Sequence, residues 1–253
     1  MNNLLPRKFL STAISAIVGL TILSSVVPVQ AEVKINLPNL GKGPGRRVPG
    51  GSRGINCVAK NQYLTAIVPI SNIGLTTIAN PSLYFYIPDN KAPEVELVVQ
   101  DENEQEVYKQ KYKPSGNAGV VGVSLPDNTL AKGQKYRWNF SIICNTQDRS
   151  LDKLVQGTIQ RIDNPQLMSK LENASPQERL KLYAEAGIWQ DALDTLAKLR
   201  YSRPQDSALK ADWVSLLTTD GVKLDTQVAQ APLVQGQNVL QPINQTSEVT
   251  TPQ

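Results

Sequence analysis

The segment Tyr136-Arg137-Trp138-Asn139-Phe140-Ser141-Ile142-Ile143-Cys144 decides how this chain folds. Its aromatic and aliphatic side chains occupy every second position at first and are separated by polar ones, which is the pattern of a strand with one buried face. Cys144 lies on the apolar face, and Cys57 is the other of the chain's two cysteines. A bond between them would tie the start of the mature domain to this central strand.

The composition permits a globular core and excludes several kinds of site. The chain has 253 residues, of which 40% are hydrophobic and 19% are charged, enough for one or two modest domains. It contains no histidine, which removes the usual general base and every Ser-His-Asp arrangement. Two cysteines without histidine do not make a structural zinc site. We therefore assign no catalytic residues and no metal ligands, and we expect no cofactor.

Residues 1–31 are predicted to be a secretory signal peptide. Arg7 and Lys8 give it a positive start, an apolar stretch runs to Val27, and small residues occupy the cleavage positions before Glu32. The alternative is an uncleaved membrane anchor, because the apolar run is long for a signal peptide. Either way the domain is expected to be exported, where a disulfide is chemically permissible.

The formal charge of the chain does not indicate a nucleic-acid partner. It is +4 for the whole sequence and falls to +2 without Arg7 and Lys8. A charge this small gives no electrostatic footprint for nucleic acid.

Residues 32–56 form a glycine- and arginine-rich segment that we predict to be flexible. Its glycine amides together with Arg46, Arg47 and Arg53 could bind a phosphate, a sulfate or an acidic polymer. It lacks the Gly-Lys-Ser/Thr ending of a phosphate-binding P-loop. The alternative is a plain lead-in whose end is fixed by Cys57.

A Cys57–Cys144 bridge is the favoured state of the two cysteines. Two free buried thiols are the alternative, and a redox-active pair is disfavoured because the chain has no Cys-x-x-Cys motif.

The chain is predicted to have an α+β fold, in which a small helical part follows a β-domain. Residues 57–163 predict an antiparallel β-sandwich of about seven strands, since short apolar or alternating runs recur between turn residues. The predicted strands are 63–70, 83–87, 94–100, 106–112, 119–125, 136–144 and 155–162.

Two groups of side chains in this domain have both a functional and a structural interpretation. Tyr63, Tyr84 and Tyr86 could stack on sugar rings, but aromatic residues on strands more often pack in a core. Asp148 and Asp152 follow the central strand and are candidates for a two-carboxylate hydrolase, although their spacing also suits a turn.

Residues 166–222 predict two helices that resemble one tetratricopeptide-type hairpin, followed by a third helix. Ser175 and Glu178 form a capping box, and Gly187 and Asp206 mark a helix end and a helix start. One repeat cannot form a solenoid, so we expect these helices to pack on the β-domain or to present a groove to a partner. Residues 226–253 are poor in charge and are predicted to be a disordered tail.

An ordered series of motifs resembles the cyanobacterial domain-of-unknown-function family nine-two-eight, whose members are predicted exported proteins. The resemblance covers residues 41–233. It implies a cyanobacterial envelope or periplasmic setting and no activity. It is carried by these segments: Gly43 to Arg47, Gly50 to Gly54, Leu64 to Pro69, Asn72 to Thr76, Pro81 to Pro88, Tyr136 to Cys144, and Tyr183 to Leu193.

The leading functional hypothesis is a non-catalytic exported module, periplasmic or extracellular, that binds a ligand or supports the envelope. The expected partner is an envelope protein or an acidic polysaccharide, with membrane contact only if the leader is retained. The alternatives are a carboxylate-based hydrolase acting on envelope polysaccharide and a module that binds an anionic polymer or lipid through the glycine- and arginine-rich segment.

Overall fold

The quoted segment forms a central strand of a six-stranded sheet in the computed structural model of this protein. The structure describes residues 33–50 and 57–243. All of these belong to one compact unit. The predicted leader and Arg53 therefore lie outside the described residues.

Ten strands and six α-helices lie in the described part of the chain. The strands are β1 (Thr65–Ala66), β2 (Ile73–Thr76), β3 (Ser82–Ile87), β4 (Glu94–Gln100), β5 (Glu106–Pro114), β6 (Gly119–Ser124), β7 (Lys135–Ile143), β8 (Lys153–Arg161), β9 (Leu233–Val234) and β10 (Leu240–Pro242). The helices are α1 (Pro165–Leu171), α2 (Pro176–Glu185), α3 (Trp189–Ser202), α4 (Ser207–Thr218), α5 (Thr226–Gln230) and α6 (Gly236–Val239).

The strands form two mixed sheets. The small sheet has the order β1-β3-β6-β9, and the large sheet has the order β10-β5-β4-β7-β8-β2. Most neighbours are antiparallel, but β2 lies parallel to β8 and β9 lies parallel to β6. The prediction of purely antiparallel strands is therefore wrong, because the parallel pairs join strands that are distant in sequence and approach the sheet edges through long connections.

Residues of both sheets share one apolar core. Phe85 of β3 stacks on Phe140 of β7 with ring centroids 4.1 Å apart, and it meets Trp138 edge-on at 5.5 Å. Leu83 and Ile87 lie on the same face of β3 and are buried. Burying one such side chain stabilises a fold by about 1.5–3 kcal/mol, so the alternation that identifies β7 in the sequence also builds this core.

The helices cover the opposite face of the small sheet. Tyr84 alternates with Phe85 on β3 and points to the helical side, where its ring lies 6.5 Å from Trp213 of α4. Trp189 of α3 is fully buried in the same cluster, together with Val120 of β6. Of the two arrangements expected for the helices, the structure shows packing on the β-domain.

The predicted helix boundaries are confirmed at three caps. Ser175 and Glu178 form the capping box of α2, and the Asp206 carboxylate accepts from the first backbone N–H groups of α4. Gly187 follows α2 with a φ of +71°, a left-handed conformation that favours glycine. A Cβ at Gly187 would also collide with the backbone carbonyl of Asn36.

The predicted disordered tail is wrong for residues 226–243, which form α5, β9, α6 and β10. β9 extends the small sheet and β10 extends the large one. Val228, Val239 and Leu240 bury their side chains, so a few apolar residues and backbone pairing order a segment that is poor in charge and rich in glutamine. Residues 244–253 lie outside the described part.

The predicted flexible segment is likewise wrong for residues 33–50. The Asn36 N–H donates to the Ala184 carbonyl at 2.9 Å, and the Gly43 N–H donates to the Ser71 carbonyl at 2.7 Å. Arg46 forms a β-bridge with Gln156. Backbone hydrogen bonds to both layers thus replace the side-chain packing that glycines cannot supply. Within the described residues, no helix combines the length and the apolar character needed to cross a bilayer.

Candidate ligand-binding cleft

A cleft of about 690 Å³ opens where the two sheets and helix α3 meet. Its volume lies within the range of roughly 300–1,000 Å³ that is typical of small-molecule sites. Most of its polar lining is uncharged: four tyrosines, four glutamines and two serines line it beside one ion pair. These residues are Tyr84, Tyr108, Tyr112, Tyr201, Gln110, Gln235, Gln237, Gln241, Ser82, Ser124, Asp194 and Lys198.

The cleft exists because the strands do not close this side of the two sheets. β9 pairs with β6 only at Val120 and Val121. The following residues of β6, Gly122 to Ser124, line the cleft together with residues of β5. Gly122 of β6 leaves room for the Tyr84 ring, which a Cβ at this position would approach to 2.7 Å. Backbone geometry and one glycine therefore shape the opening.

Tyr84 and α3 form the inner wall. The Tyr84 hydroxyl donates to Asp194 Oδ1 at 2.8 Å, and Lys198 Nζ lies 2.6 Å from Asp194 Oδ2. Burial, followed by the neighbouring Asp194 charge, raises the pKa of Tyr84 well above its ordinary value. Both oxygens of the buried carboxylate are thus occupied, and the phenol stays neutral.

Tyr108 and Tyr112 form the opposite wall on β5. Their hydroxyls share a hydrogen bond of 2.7 Å, and burial together with this bond raises the pKa of Tyr112. Tyr201 of α3 donates to the Val234 carbonyl at 2.9 Å, and burial raises its pKa to about 12. Near neutral pH the Tyr112 and Tyr201 side chains therefore present uncharged hydroxyl groups and apolar rings.

Glutamines from the C-terminal segment form the rim. Gln235, Gln237 and Gln241 are exposed at the mouth of the cleft. Gln110 lies deeper, and its Nε2 donates to the carbonyls of Lys111 and Ile243, the latter at 3.0 Å. Each amide offers donors and acceptors on one planar group, so the rim can donate hydrogen bonds to a ligand and accept hydrogen bonds from it.

The family described as Domain of Unknown Function (DUF928) matches residues 48–233. The chain belongs to this family. The match includes Tyr84, the β5 tyrosines and the α3 wall of the cleft, whereas the rim glutamines lie just beyond it. The resemblance seen in the sequence is therefore confirmed.

Other comparisons add little. No curated protein matches the chain significantly. Among solved structures, the fn3 domain of human collagen alpha-1(XX) chain matches with 12% identity and a TM-score of 0.25, over 49% of this chain and 95% of that one. We take neither fold nor function from that likeness.

The predicted disulfide is present in this DUF928 protein. The Sγ atoms of Cys57 and Cys144 are 2.07 Å apart, across a sequence separation of 87 residues. The Cys57 carbonyl also accepts from the Lys91 N–H at 2.8 Å. The bridge therefore joins the start of the β-domain to the end of β7, and neither cysteine lines the cleft.

The structure gives the predicted anion-binding arginines different roles. Arg47 Nη1 donates to the carbonyls of Val68 and Val222, and burial lowers the pKa of Arg47. Its guanidinium thus links the small sheet to the turn after α4. Arg46 is exposed, and Arg53 lies outside the described residues. Arg46 and Arg47 do not converge on a common acceptor, which weakens the anion-site hypothesis.

The predicted carboxylate pair serves a turn. Asp148 Oδ1 accepts from the Ser150 N–H at 3.1 Å and so caps the short 3₁₀-helix Arg149–Leu151. Asp152 pairs with Arg149 at 2.6 Å, and burial raises the pKa of Asp152. Neither lines the cleft. Within the described ranges, no group of three or more His, Cys, Asp or Glu side chains could hold a metal ion.

Sequence reasoning found one of the cleft tyrosines and missed three. Of the candidates for sugar stacking, Tyr84 lines the cleft, whereas Tyr63 is 61% exposed elsewhere and the Tyr86 hydroxyl donates to Gln62. Tyr108 and Tyr112 have the same parity on a predicted strand, which places both on one face. The sequence therefore shows that Tyr108 and Tyr112 share a face of their strand. It does not show that this face lies opposite α3.

Proposed function

We propose that this protein is an exported, non-catalytic binding module that holds its ligand in the tyrosine- and glutamine-lined cleft. The observation that carries the proposal is a preformed concave site whose polar groups converge from both sheets and from α3. Sites of this kind, with apolar walls and a few fixed polar groups, are the usual places where ligands bind.

The chemistry of the lining supports binding rather than turnover. Among the described residues that line the cleft, the charged ones are Asp194 and Lys198, and they form an ion pair with each other. The pKa of both Tyr84 and Tyr201 is raised, which opposes formation of a nucleophilic phenolate near neutral pH. The hydrolase alternative loses support because Asp148 and Asp152 are engaged in a turn.

For the architecture we propose a β-sandwich capped by a single tetratricopeptide-like hairpin. The shared core of the two sheets supports the sandwich. The hairpin consists of α2 and α3, joined through Gly187, and it rests on the small sheet instead of on further repeats. In this arrangement the cap fixes one wall of the cleft.

We place the protein in the periplasm or outside the cell of a cyanobacterium, on the basis of residues 1–31 and the family resemblance. Intact mass of protein isolated from the host tests this placement, before and after reduction and thiol alkylation. We expect a chain that starts at Glu32 with two thiols that react only after reduction. A chain that keeps residues 1–31, or free thiols throughout, would overturn the assignment of a cleaved, disulfide-bonded export product.

The binding site is tested by filling the cleft. Ser124→Trp adds a large ring at the mouth, and Val107→Trp, at an exposed strand position outside the cleft, is the matched control. Wild type and both variants are titrated calorimetrically with cellohexaose, maltohexaose, sodium alginate and anionic phospholipid vesicles. We expect at least one probe to bind wild type and Val107→Trp equally and to lose at least about tenfold in affinity for Ser124→Trp.

Two results of this titration would contradict the proposal. One is binding of every active probe with equal affinity by Ser124→Trp and wild type. The other is alginate or vesicle binding that survives in Ser124→Trp and disappears in an Arg46→Ala, Arg53→Ala variant, which would move the site to the N-terminal segment.

A further inference from the structure

We infer that the ligand of the cleft is an uncharged, hydroxyl-rich saccharide chain. This inference rests on the binding function proposed above and names the class of ligand. It follows from the charge, the hydrogen-bonding groups and the apolar surface of the cleft.

The charge balance of the cleft favours a neutral ligand. Asp194 accepts from Tyr84 and pairs with Lys198, so each of the two charged lining groups already has a partner of opposite sign or a hydrogen bond. A phosphate, carboxylate or ammonium group entering the cleft would lose hydration without gaining an unpaired counter-charge, and burying such a group is costly. A neutral ligand avoids that cost.

The hydrogen-bonding groups match vicinal hydroxyls. A saccharide hydroxyl both donates and accepts, as do the glutamine amides and the tyrosine and serine hydroxyls of the cleft. The Tyr108–Tyr112 pair uses only one of its two protons in the bond between the hydroxyls. The exposed amides of Gln237 and Gln241 approach the same space from the rim, which suits adjacent hydroxyls along one edge of a sugar ring.

The apolar lining matches the other surface of a sugar. Pyranose rings carry hydroxyls on their edges and C–H groups on their faces, and they pack against aromatic and aliphatic side chains through those faces. Tyr108 is half-buried, Pro242 lies opposite Tyr112 in the pairing of β10 with β5, and Leu240 belongs to the same lining. Tyrosine is suited to such a ligand because it joins an apolar ring to a polar tip.

A peptide that adds a strand to the small sheet fits the cleft less well than a saccharide does. Such a peptide needs a free strand edge, and the edge of β6 that faces the cleft is short. Its Gly122 carbonyl is approached by Gly236, where a Cβ would lie 2.6 Å from that oxygen. The start of α6 therefore covers the place where a peptide strand would begin to pair.

Calorimetric titration of the full mature chain with neutral oligosaccharides tests this inference. The probes are cellohexaose, maltohexaose and chitohexaose, and the variant is Gln237→Ala with Gln241→Ala, both at exposed positions. Gln134→Ala, also exposed but outside the cleft, is the control. We expect one of the probes to bind wild type and the control with the same affinity and the rim variant at least about tenfold more weakly. Raising the salt from about 0.05 to 0.5 M should leave the affinity unchanged within about twofold, because no ion pair forms with the ligand.

The outcomes separate this inference from the function on which it rests. If no neutral oligosaccharide binds but alginate or vesicles bind and are blocked by Ser124→Trp, the cleft is a binding site and the saccharide assignment is overturned. If the oligosaccharides bind Ser124→Trp as well as they bind wild type, both the cleft and the assignment are overturned.

Discussion

Three consecutive side chains at the start of α3, Trp189, Gln190 and Asp191, are buried and all carry polar atoms. Trp189 Nε1 donates to the Ile67 carbonyl at 3.1 Å, and Gln190 Nε2 donates to the Ser82 carbonyl. Asp191 accepts from the Thr77 N–H at 2.8 Å and from two threonine hydroxyls. Because buried polar groups are costly unless bonded, these partners fix the position of α3 on the small sheet.

The Asp191 carboxylate should make stability fall as the pH rises. Burial raises its folded-state pKa above the unfolded value, so between the two values the folded chain binds more protons. The contribution of the Asp191 carboxyl group to the free energy of unfolding is complete below about pH 4 and is lost as the pH rises through its folded-state pKa. Urea unfolding across this range should show the wild-type advantage over Asp191→Asn shrinking with increasing pH.

The exposed Asp220 provides the control for loss of one carboxylate. Wild type and Asp220→Asn should keep a constant difference in unfolding free energy over the range in which Asp191→Asn does not. A difference between wild type and Asp191→Asn that grows as the pH rises would contradict the assigned direction.

The Tyr84–Asp194 hydrogen bond should contribute measurably to stability. Tyr84→Phe removes a buried donor to a carboxylate, and bonds to charged groups contribute about 1.5–3 kcal/mol. We expect that loss in chemical denaturation at neutral pH. Tyr63→Phe, at a ring that is 61% exposed, should change the free energy of unfolding by less than about 0.5 kcal/mol. Equal losses in the two variants would show that the Asp194 contact contributes nothing specific.

Residue-level reasoning from the sequence reaches only part of the cleft. The shared parity of Tyr108, Gln110 and Tyr112 is readable because strands have a fixed period of two. Asp194 is different, because it meets Tyr84 across a separation of 110 residues. That contact depends on how α3 docks, and no local pattern in the sequence reports the docking.

At the scale of elements, the long alternating strands were predictable and the short edge strands were not. β4 has the predicted bounds, and β3, β5, β6, β7 and β8 differ by one or two residues at their ends. The predicted strand 63–70 contracts to β1, and β2 lies outside the predicted strands. Short strands of this kind depend on pairing with distant partners, which outweighs local propensity.

The C-terminal segment illustrates the same limit, and its contribution to stability can be measured. Residues 226–243 add one strand to each sheet and bury Val228, Val239 and Leu240. At about 1.5–3 kcal/mol for each buried aliphatic side chain, deleting residues 226–253 should destabilise the fold by several kcal/mol. Deleting only residues 244–253 keeps β10 and is the matched control.

Thermal and urea unfolding should distinguish the stabilities of the two deletion variants. The long deletion should unfold at much lower denaturant concentration, and the short one should resemble wild type. If the long deletion unfolds like the short one, the segment does not hold the sheets together.

At the scale of the whole molecule, a disulfide and two packed layers hold the β-domain. The Cys57–Cys144 bridge closes a separation of 87 residues, for which the chain-entropy model gives about 4–5 kcal/mol. The double variant Cys57→Ala, Cys144→Ala should lose stability on that order, and reduced wild type should behave similarly in urea. A loss below about 1 kcal/mol in both would mean that the bridge adds little to the packed core.

The central claim is that ligands bind in the cleft between the two sheets and α3, and amide chemical shifts test it most directly. Isotope-labelled protein comprising residues 32–253 is titrated with neutral hexasaccharides, and each backbone amide reports on its own surroundings. We predict saturable shifts that are confined to the cleft lining, at residues 82–84, 108–112, 122–124, 194–201 and 235–241. Shifts centred on Arg46 and Arg47, or a spectrum that no saccharide perturbs at the cleft, would contradict the account.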